Sequence, residues 1–160
     1  MKNIFVAGAS RGLGFFLVKK YLEDGHKVFA GVRNTESSQL KNLLETYPDT
    51  LIPVLNEVRD TESVTQAAKL VSEKVNNIDV LINNAGVHCD SSFDILEETN
   101  LDESLFVYDV NAMGPIRVAK AFLTLLRKKG GKVINFLLKV EVLEIVNVKK
   151  NLITVCQKQL

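Results

Sequence analysis

The chain has 160 residues, 46% of them apolar, and a formal net charge of +1 at pH 7. This is the length of one domain with a substantial core, and its even charge balance marks no nucleic-acid or acidic-membrane partner. No apolar run approaches the ~20 residues of a membrane span, and the sequence shows no metal-ligand spacing.

Met1-Lys2-Asn3 leads straight into a strand pattern rather than a signal peptide. Cys89 and Cys156 are isolated thiols without motif spacing, which fits a cytoplasmic protein. Lys2 to Ala7 is a short apolar run ending at glycine, the pattern of a buried parallel strand. Leu13, Phe16, Leu17 and Tyr21 recur at helical spacing up to Glu23, where Asp24-Gly25-His26 ends the helix. Lys27 to Val32 is predicted as the second strand, and Ser37 to Thr46 as a helix closed by Pro48. Leu51 to Val54 is a third strand, placed at a sheet edge by Pro53. Thr61 to Asn76 is an amphipathic helix with Thr61 as its cap and Val64, Ala68, Val71 and Val75 inward.

Asp79 to Ile82 is a fourth strand, followed by a polar loop to Asn100. Leu101 to Arg127 holds one long helix or two stacked ones, with a kink or break at Gly114-Pro115. Lys132 to Asn135 is the fifth strand, after Gly130-Gly131. Strands alternating with helices predict an α/β fold: a Rossmann-like, doubly wound parallel sheet in three αβα layers.

Chemistry concentrates first in Gly8-Ala9-Ser10-Arg11-Gly12-Leu13-Gly14, between the first strand and the first helix. Glycine there permits a tight turn and close backbone approach to a pyrophosphate, which then rests on the helix N-terminus. The spacing differs from the common GxGxxG fingerprint. The second strand ends in Gly31-Val32-Arg33-Asn34, with no acid before Glu36. An acidic residue at that turn serves the ribose hydroxyls of NAD, whereas arginine accommodates a 2′-phosphate. Arg33, with Arg11 from the glycine loop, therefore favours NADP over NAD. The alternative is two solvated surface arginines.

With Asn83-Asn84-Ala85-Gly86 after the fourth strand, Asn111 in Asn111-Ala112-Met113-Gly114, and the strand Gly131 to Asn135, the chain resembles the short-chain dehydrogenase/reductase family. The resemblance covers residues 1–135 in the expected order, with Ala7 in place of the usual threonine. Gly114-Pro115-Ile116-Arg117-Val118 is similar to the branch of C-factor and sniffer-type carbonyl reductases. The resemblance implies an oxidoreductase that transfers hydride between NADP(H) and a small carbonyl or alcohol. It places Asn84, Ala85 and Gly86 against the cofactor ribose and Glu57-Val58 at the adenine, with glutamate replacing the usual aspartate. Asn111 would be the catalytic asparagine that holds a proton-relay water.

The same resemblance exposes a loss. The family has serine just after the fifth strand, then Tyr-x-x-x-Lys, whose lysine lowers the tyrosine pKa from near 10. Here Phe136-Leu137-Leu138 follows Asn135, and Tyr21, Tyr47 and Tyr108 all lack a lysine four places on. Residues 136–160 contain no glycine, proline, serine or tyrosine.

Codon arithmetic supplies a reason. If Ile153 ends in T and Thr154 to Leu160 read ACA GTA TGT CAA AAG CAG CTN, one base earlier gives Tyr-Ser-Met-Ser-Lys-Ala-Ala. At the junction, AAT ATT TCT TCT (Asn-Ile-Ser-Ser) minus one A reads Asn135-Phe136-Leu137 and begins Leu138. The expectation is a frameshifted tail after a 1–135 nucleotide-binding domain, truncated behind the fifth strand. Coding DNA across codons 130–165 whose earlier frame does not yield these residues would overturn it.

Lys139 to Val148 and Leu152 to Cys156 carry a hairpin pattern that could cover the sheet edge. Two rivals to a live enzyme follow. One is a non-catalytic nucleotide-binding or association module, forming homo-oligomers through the Leu101–Arg127 helix. The other is a product without function. His88 and Cys89 are weak candidates for a substrate pocket.

Overall fold

The computed structural model describes residues 1–88 and 101–136. The expected hairpin, Cys89 and Cys156 lie outside the described residues. Chain order is β1 (Asn3–Ala7), α1 (Gly12–Glu23), β2 (Lys27–Val32), α2 (Ser38–Thr46), β3 (Leu51–Leu55), α3 (Thr61–Lys74), β4 (Val80–Asn83), α4 (Leu101–Tyr108), a π-helical turn (Asp109–Met113), α5 (Gly114–Phe122) and β5 (Lys132–Asn135).

The continuous apolar runs of β1, β2 and β4 are buried on both faces, as strands covered by helices on two sides must be. All pairings are parallel, in the order β3-β2-β1-β4-β5. Side chains of opposite parity leave the sheet on opposite faces. Phe5 and Phe29 meet Val64, Val71, Val118 and Phe122 of α3 and α5, with the Phe5 and Phe122 ring centroids 4.2 Å apart. Ile4, Val6 and Val28 meet Val18 and Leu22 of α1 and Leu40 and Leu43 of α2 on the other face. The expected three-layer, doubly wound architecture is the observed one.

Pro53 lies on edge strand β3, paired across Ala30, where its missing N–H costs the ladder nothing on the open side. Several element ends differ by a residue or two from the sequence expectation, and three differences have a structural reason. Asp60, not Thr61, caps α3: its Oδ1 accepts from the Glu62 N–H at 2.9 Å from an extended backbone. Asp79 precedes β4 rather than opening it. Its carboxylate accepts from Asn3 N–H at 2.8 Å and pairs with Arg127 at 2.7 Å, fastening the N-terminus to the turn before β5.

The third difference is the long helix, which is irregular before Gly114 and ends at Phe122 rather than Arg127. The widened turn holds Asn111, and Pro115 sits in the first turn of α5, where its missing N–H is not needed. Beyond β4, β5 is thinly covered: Lys132, Val133 and Asn135 are exposed, while Ile134 and Phe136 pack towards the α1 and α2 side. Among the described residues no helix is long and apolar enough to cross a membrane.

Candidate functional site

The chain leaves β1 towards β2 on one side and later returns to β4 on the other. The crevice beyond the carboxyl ends of such strands is where open α/β sheets take ligands. A cavity of about 290 Å³ opens there. Its floor and one wall are Gly8, Ser10, Arg11, Gly12 and Leu13 of the glycine loop. Arg33 closes the β2 side, Glu57 and Val58 the β3 side, and Asn84, Ala85 and Gly86 the β4 side. Of the residues expected to bind the cofactor or catalyse, Gly14 and Asn111 do not line it, nor does the weaker candidate His88.

Local physics explains the shape. Gly8 has φ +78°, and a Cβ there would stand 2.6 Å from Ala85 Cα, so the β1 and β4 turns touch only because that side chain is absent. Gly8 and Ala9 donate to the Gly31 carbonyl at 2.9 and 3.1 Å. Asn84 Nδ2 donates to the Gly8 carbonyl at 2.9 Å, locking the loop from the other side. Gly14 is a packing residue, since a Cβ would collide with the Gly8 carbonyl oxygen and with Asn84 Nδ2.

The first turn of α1 has no acidic residue, and its Arg11 N-cap makes no side-chain capping bond. Its amide dipoles thus face the cavity uncompensated, a setting that favours an anion. Arg11 and Arg33 are exposed and make no ion pair among the described residues. Glu36 does not line the cavity, and its carboxylate pairs with Lys41 Nζ at 2.5 Å.

Asn111 is tied to the loop after β4. Its Oδ1 accepts from Val87 N–H at 2.9 Å, and its Nδ2 donates to the Val87 carbonyl at 2.8 Å. This reciprocal pair fixes the segment that follows Asn84-Ala85-Gly86, and a π turn is a recurrent device for such placement. Asn83 Nδ2 donates to Asn135 Oδ1 at 2.8 Å, joining β4 to β5. His88 is exposed and does not line the cavity.

Several lining residues were not anticipated, chiefly Asn56, Arg59, Val87, Phe106 and Val110. Arg59 lies 4.6 Å over the Phe106 ring, and its Nε is 3.2 Å from Asp109 Oδ2. Arg117 Nη2 reaches Asp109 Oδ1 at 2.6 Å. The Arg117 hydrogen bond, aided by Arg59 against the opposing effect of burial, holds the Asp109 carboxyl below the usual carboxylate range. Asp109 thus links the β3 side of the cavity to the turn that carries Asn111. No sequence motif announces this triad, because its members are 50 and 8 residues apart. Among the described residues, no group of three or more His, Cys, Asp or Glu could hold a metal ion.

Sheet order, glycine loop and switch-point cavity together define a Rossmann-type nucleotide-binding domain. The short chain dehydrogenase family model matches residues 2–137, and the chain belongs to that family. It is 36% identical over 126 residues to Oxidoreductase BOA17 of Botryotinia fuckeliana, covering 78% of this chain and 44% of that protein. It is 34% identical over 140 residues to the mitochondrial D-beta-hydroxybutyrate dehydrogenase of Bos taurus, covering 84% and 40%.

Among solved structures, a carbonyl reductase from Pseudomonas aeruginosa PAO1 in complex with NADP superposes with TM-score 0.76 at 29% identity, covering 84% of this chain and 60% of that one. An NADPH-bound carbonyl reductase from chicken fatty liver gives TM-score 0.68 at 32% identity, covering 78% and 51%. The chain spans less than half the length of the two curated relatives.

Proposed function

We propose that this chain is the cofactor-binding part of an NADP(H)-dependent short-chain oxidoreductase of small carbonyls or alcohols, and that it binds the dinucleotide without turning substrate over. The observation that carries the reading is the pair Arg11 and Arg33, which line the cavity and make no ion pair among the described residues, while Glu36, the first acid after β2, pairs with Lys41. The uncapped α1 N-terminus and the glycine loop would take the pyrophosphate, and the two arginines the 2′-phosphate. Glu57 and Val58 would border the adenine, and Asn84, Ala85 and Gly86 the nicotinamide-side ribose.

When bound, the cofactor supplies the hydride. The chain's own contribution at that end is Asn111, which positions the loop through Val87. Proton transfer is unsupported, because Phe136-Leu137-Leu138 stands where the family has serine and the 160 residues contain no Tyr-x-x-x-Lys. A single-base deletion behind codon 135 remains our account of that loss.

Enhancement of NADPH's own fluorescence over that of the free cofactor reports binding. Titration is expected to give a micromolar Kd for NADPH, with no oxidation of it in the presence of simple carbonyls. Steady NADPH oxidation abolished by Asn111→Ala would overturn the inactive reading, and absence of binding would overturn the cofactor reading.

A second reading, as an association module, draws on Leu105, Tyr108, Ile116 and Leu123. These are 58–68% exposed along the segment Leu101–Arg127, and apolar exposure of that kind suits a helix that meets another copy.

A further inference from the structure

Two arginines from separate elements converge on the carboxylate that opens the π turn. Asp109 Oδ1 accepts from Arg117 Nη2 at 2.6 Å, and its Oδ2 lies 3.2 Å from Arg59 Nε. Arg59 follows β3 and lines the cavity, whereas Arg117 belongs to α5. Arg117 Nη1 also donates to two carbonyls, those of Val58 and Asp109, each at 3.4 Å. One guanidinium therefore grips the backbone of the π turn and the backbone beside the cavity together. The Asp109 carbonyl also accepts from the Gly114 N–H, the long-range bond that defines a π turn, so the grip falls on the irregularity itself.

A lone exposed ion pair contributes little, but several charges in a fixed network contribute more. The Arg117 and Asp109 side chains are 21% and 29% exposed, and the carboxylate serves both arginines. Arg59 is steadied again by Phe106, whose ring lies under its guanidinium. Packing follows the same line: a Cβ on Gly114 would stand 3.1 Å from Val58 Cγ2, so α5 begins pressed against the turn after β3. Within the same π turn, Asn111 pairs reciprocally with the backbone of Val87, which lines the cavity beside Ala85 and Gly86. Val110, between Asp109 and Asn111, lines it too. A turn this short transmits any displacement of Asp109 to Asn111 and so to Val87.

We propose that Asp109 is a positioning residue: its pairing with Arg59 and Arg117 sets the π turn and, through Asn111 and Val87, places the nicotinamide-side wall of the cavity. Asp109 itself does not line the cavity and acts only through those residues. This rests on the dinucleotide reading above.

Two measurements on the whole chain test it. Amide hydrogen exchange of the free protein needs no ligand. Asp109→Ala should speed exchange of the Val87 N–H by about tenfold, while amides of β1 and α1 keep their protection. Asp109→Asn, which keeps the shape and one acceptor, should fall between wild type and alanine, and it carries the test should alanine not fold. Binding of NADPH is then compared with that of adenosine 2′,5′-bisphosphate, which lacks the nicotinamide half. Asp109→Ala should weaken NADPH about fivefold, the worth of one modest hydrogen bond, and should diminish the fluorescence enhancement of the bound nicotinamide. The bisphosphate should keep its Kd within about twofold, which a generally loosened fold would not allow.

Unchanged Val87 exchange in a folded variant overturns the proposal and leaves the cofactor reading standing. So does faster exchange with unchanged NADPH binding, or equal loss of both ligands, since the carboxylate would then act on the fold as a whole. Wild type that binds neither ligand overturns the cofactor reading, and the nicotinamide-side role with it.

Discussion

Replacing Arg11 and Arg33 together with alanine should weaken NADPH binding by about 10²-fold and leave NADH binding within about twofold. Hydrogen bonds to a charged group contribute roughly 1.5–3 kcal/mol each when well formed. Both arginines are exposed, so solvent screening favours the lower end, and about 2.8 kcal/mol in total corresponds to the stated factor. The effect is specific because NADH lacks the 2′-phosphate, while the glycine loop and the α1 amides serve both cofactors. Each single variant should lose roughly tenfold, and raising salt should shrink the gap between the two cofactors. Equal loss for NADPH and NADH would mean that the arginines act on the shared pyrophosphate or on folding, and the NADP preference would fall.

Gly14→Ala should damage stability and binding together, although Gly14 does not line the cavity. The new Cβ would meet the Gly8 carbonyl oxygen, which is backbone, and Asn84 Nδ2. Overpacking of this kind costs typically about 1–3 kcal/mol. Loss of the Asn84–Gly8 bond adds about 1 kcal/mol. For a domain of this size the sum lowers the melting temperature by roughly 5–12 °C. Gly12→Ala is the informative control: its Cβ would meet nothing within 4 Å, but φ is +57°. Only the left-handed backbone penalty of about 1–2 kcal/mol applies there. Thermal melts followed by far-UV circular dichroism should therefore rank Gly14→Ala well below Gly12→Ala. Coincident melts would show that the loop can relax around the added methyl group.

The comparison of sequence with structure divides along a physical line. Strands β1, β2 and β4 were legible because burial on both faces demands uninterrupted apolar runs, and each ends where a glycine or polar turn must begin. Pro53 marked β3 as an edge strand by the same kind of local reasoning, since a missing N–H is tolerated there. The α3 cap was misplaced by one residue because Asp60 and Thr61 are both competent caps. Backbone geometry chose between them, with Asp60 extended and Thr61 already helical. The segment Leu101–Arg127 was read as one long helix or two stacked ones, with a kink or break at Gly114-Pro115. A helix does begin at Gly114, preceded by the π turn that carries the Asn111–Val87 pair and the Asp109–arginine contacts. Those contacts join residues from separate elements, and no local pattern encodes them.

By itself, the sequence determined the α/β class, the family resemblance and the glycine loop. These depend on spacing within short segments, where chain connectivity alone sets which groups can act together. Only the tertiary structure decided that Gly14 is a packing residue, that Glu36 pairs with Lys41 outside the cavity lining, and that the Asn56 side chain is buried without a partner among the described residues. Each of those facts depends on strands and helices meeting at the switch point, and burial and pairing exist only once the sheet has brought them there.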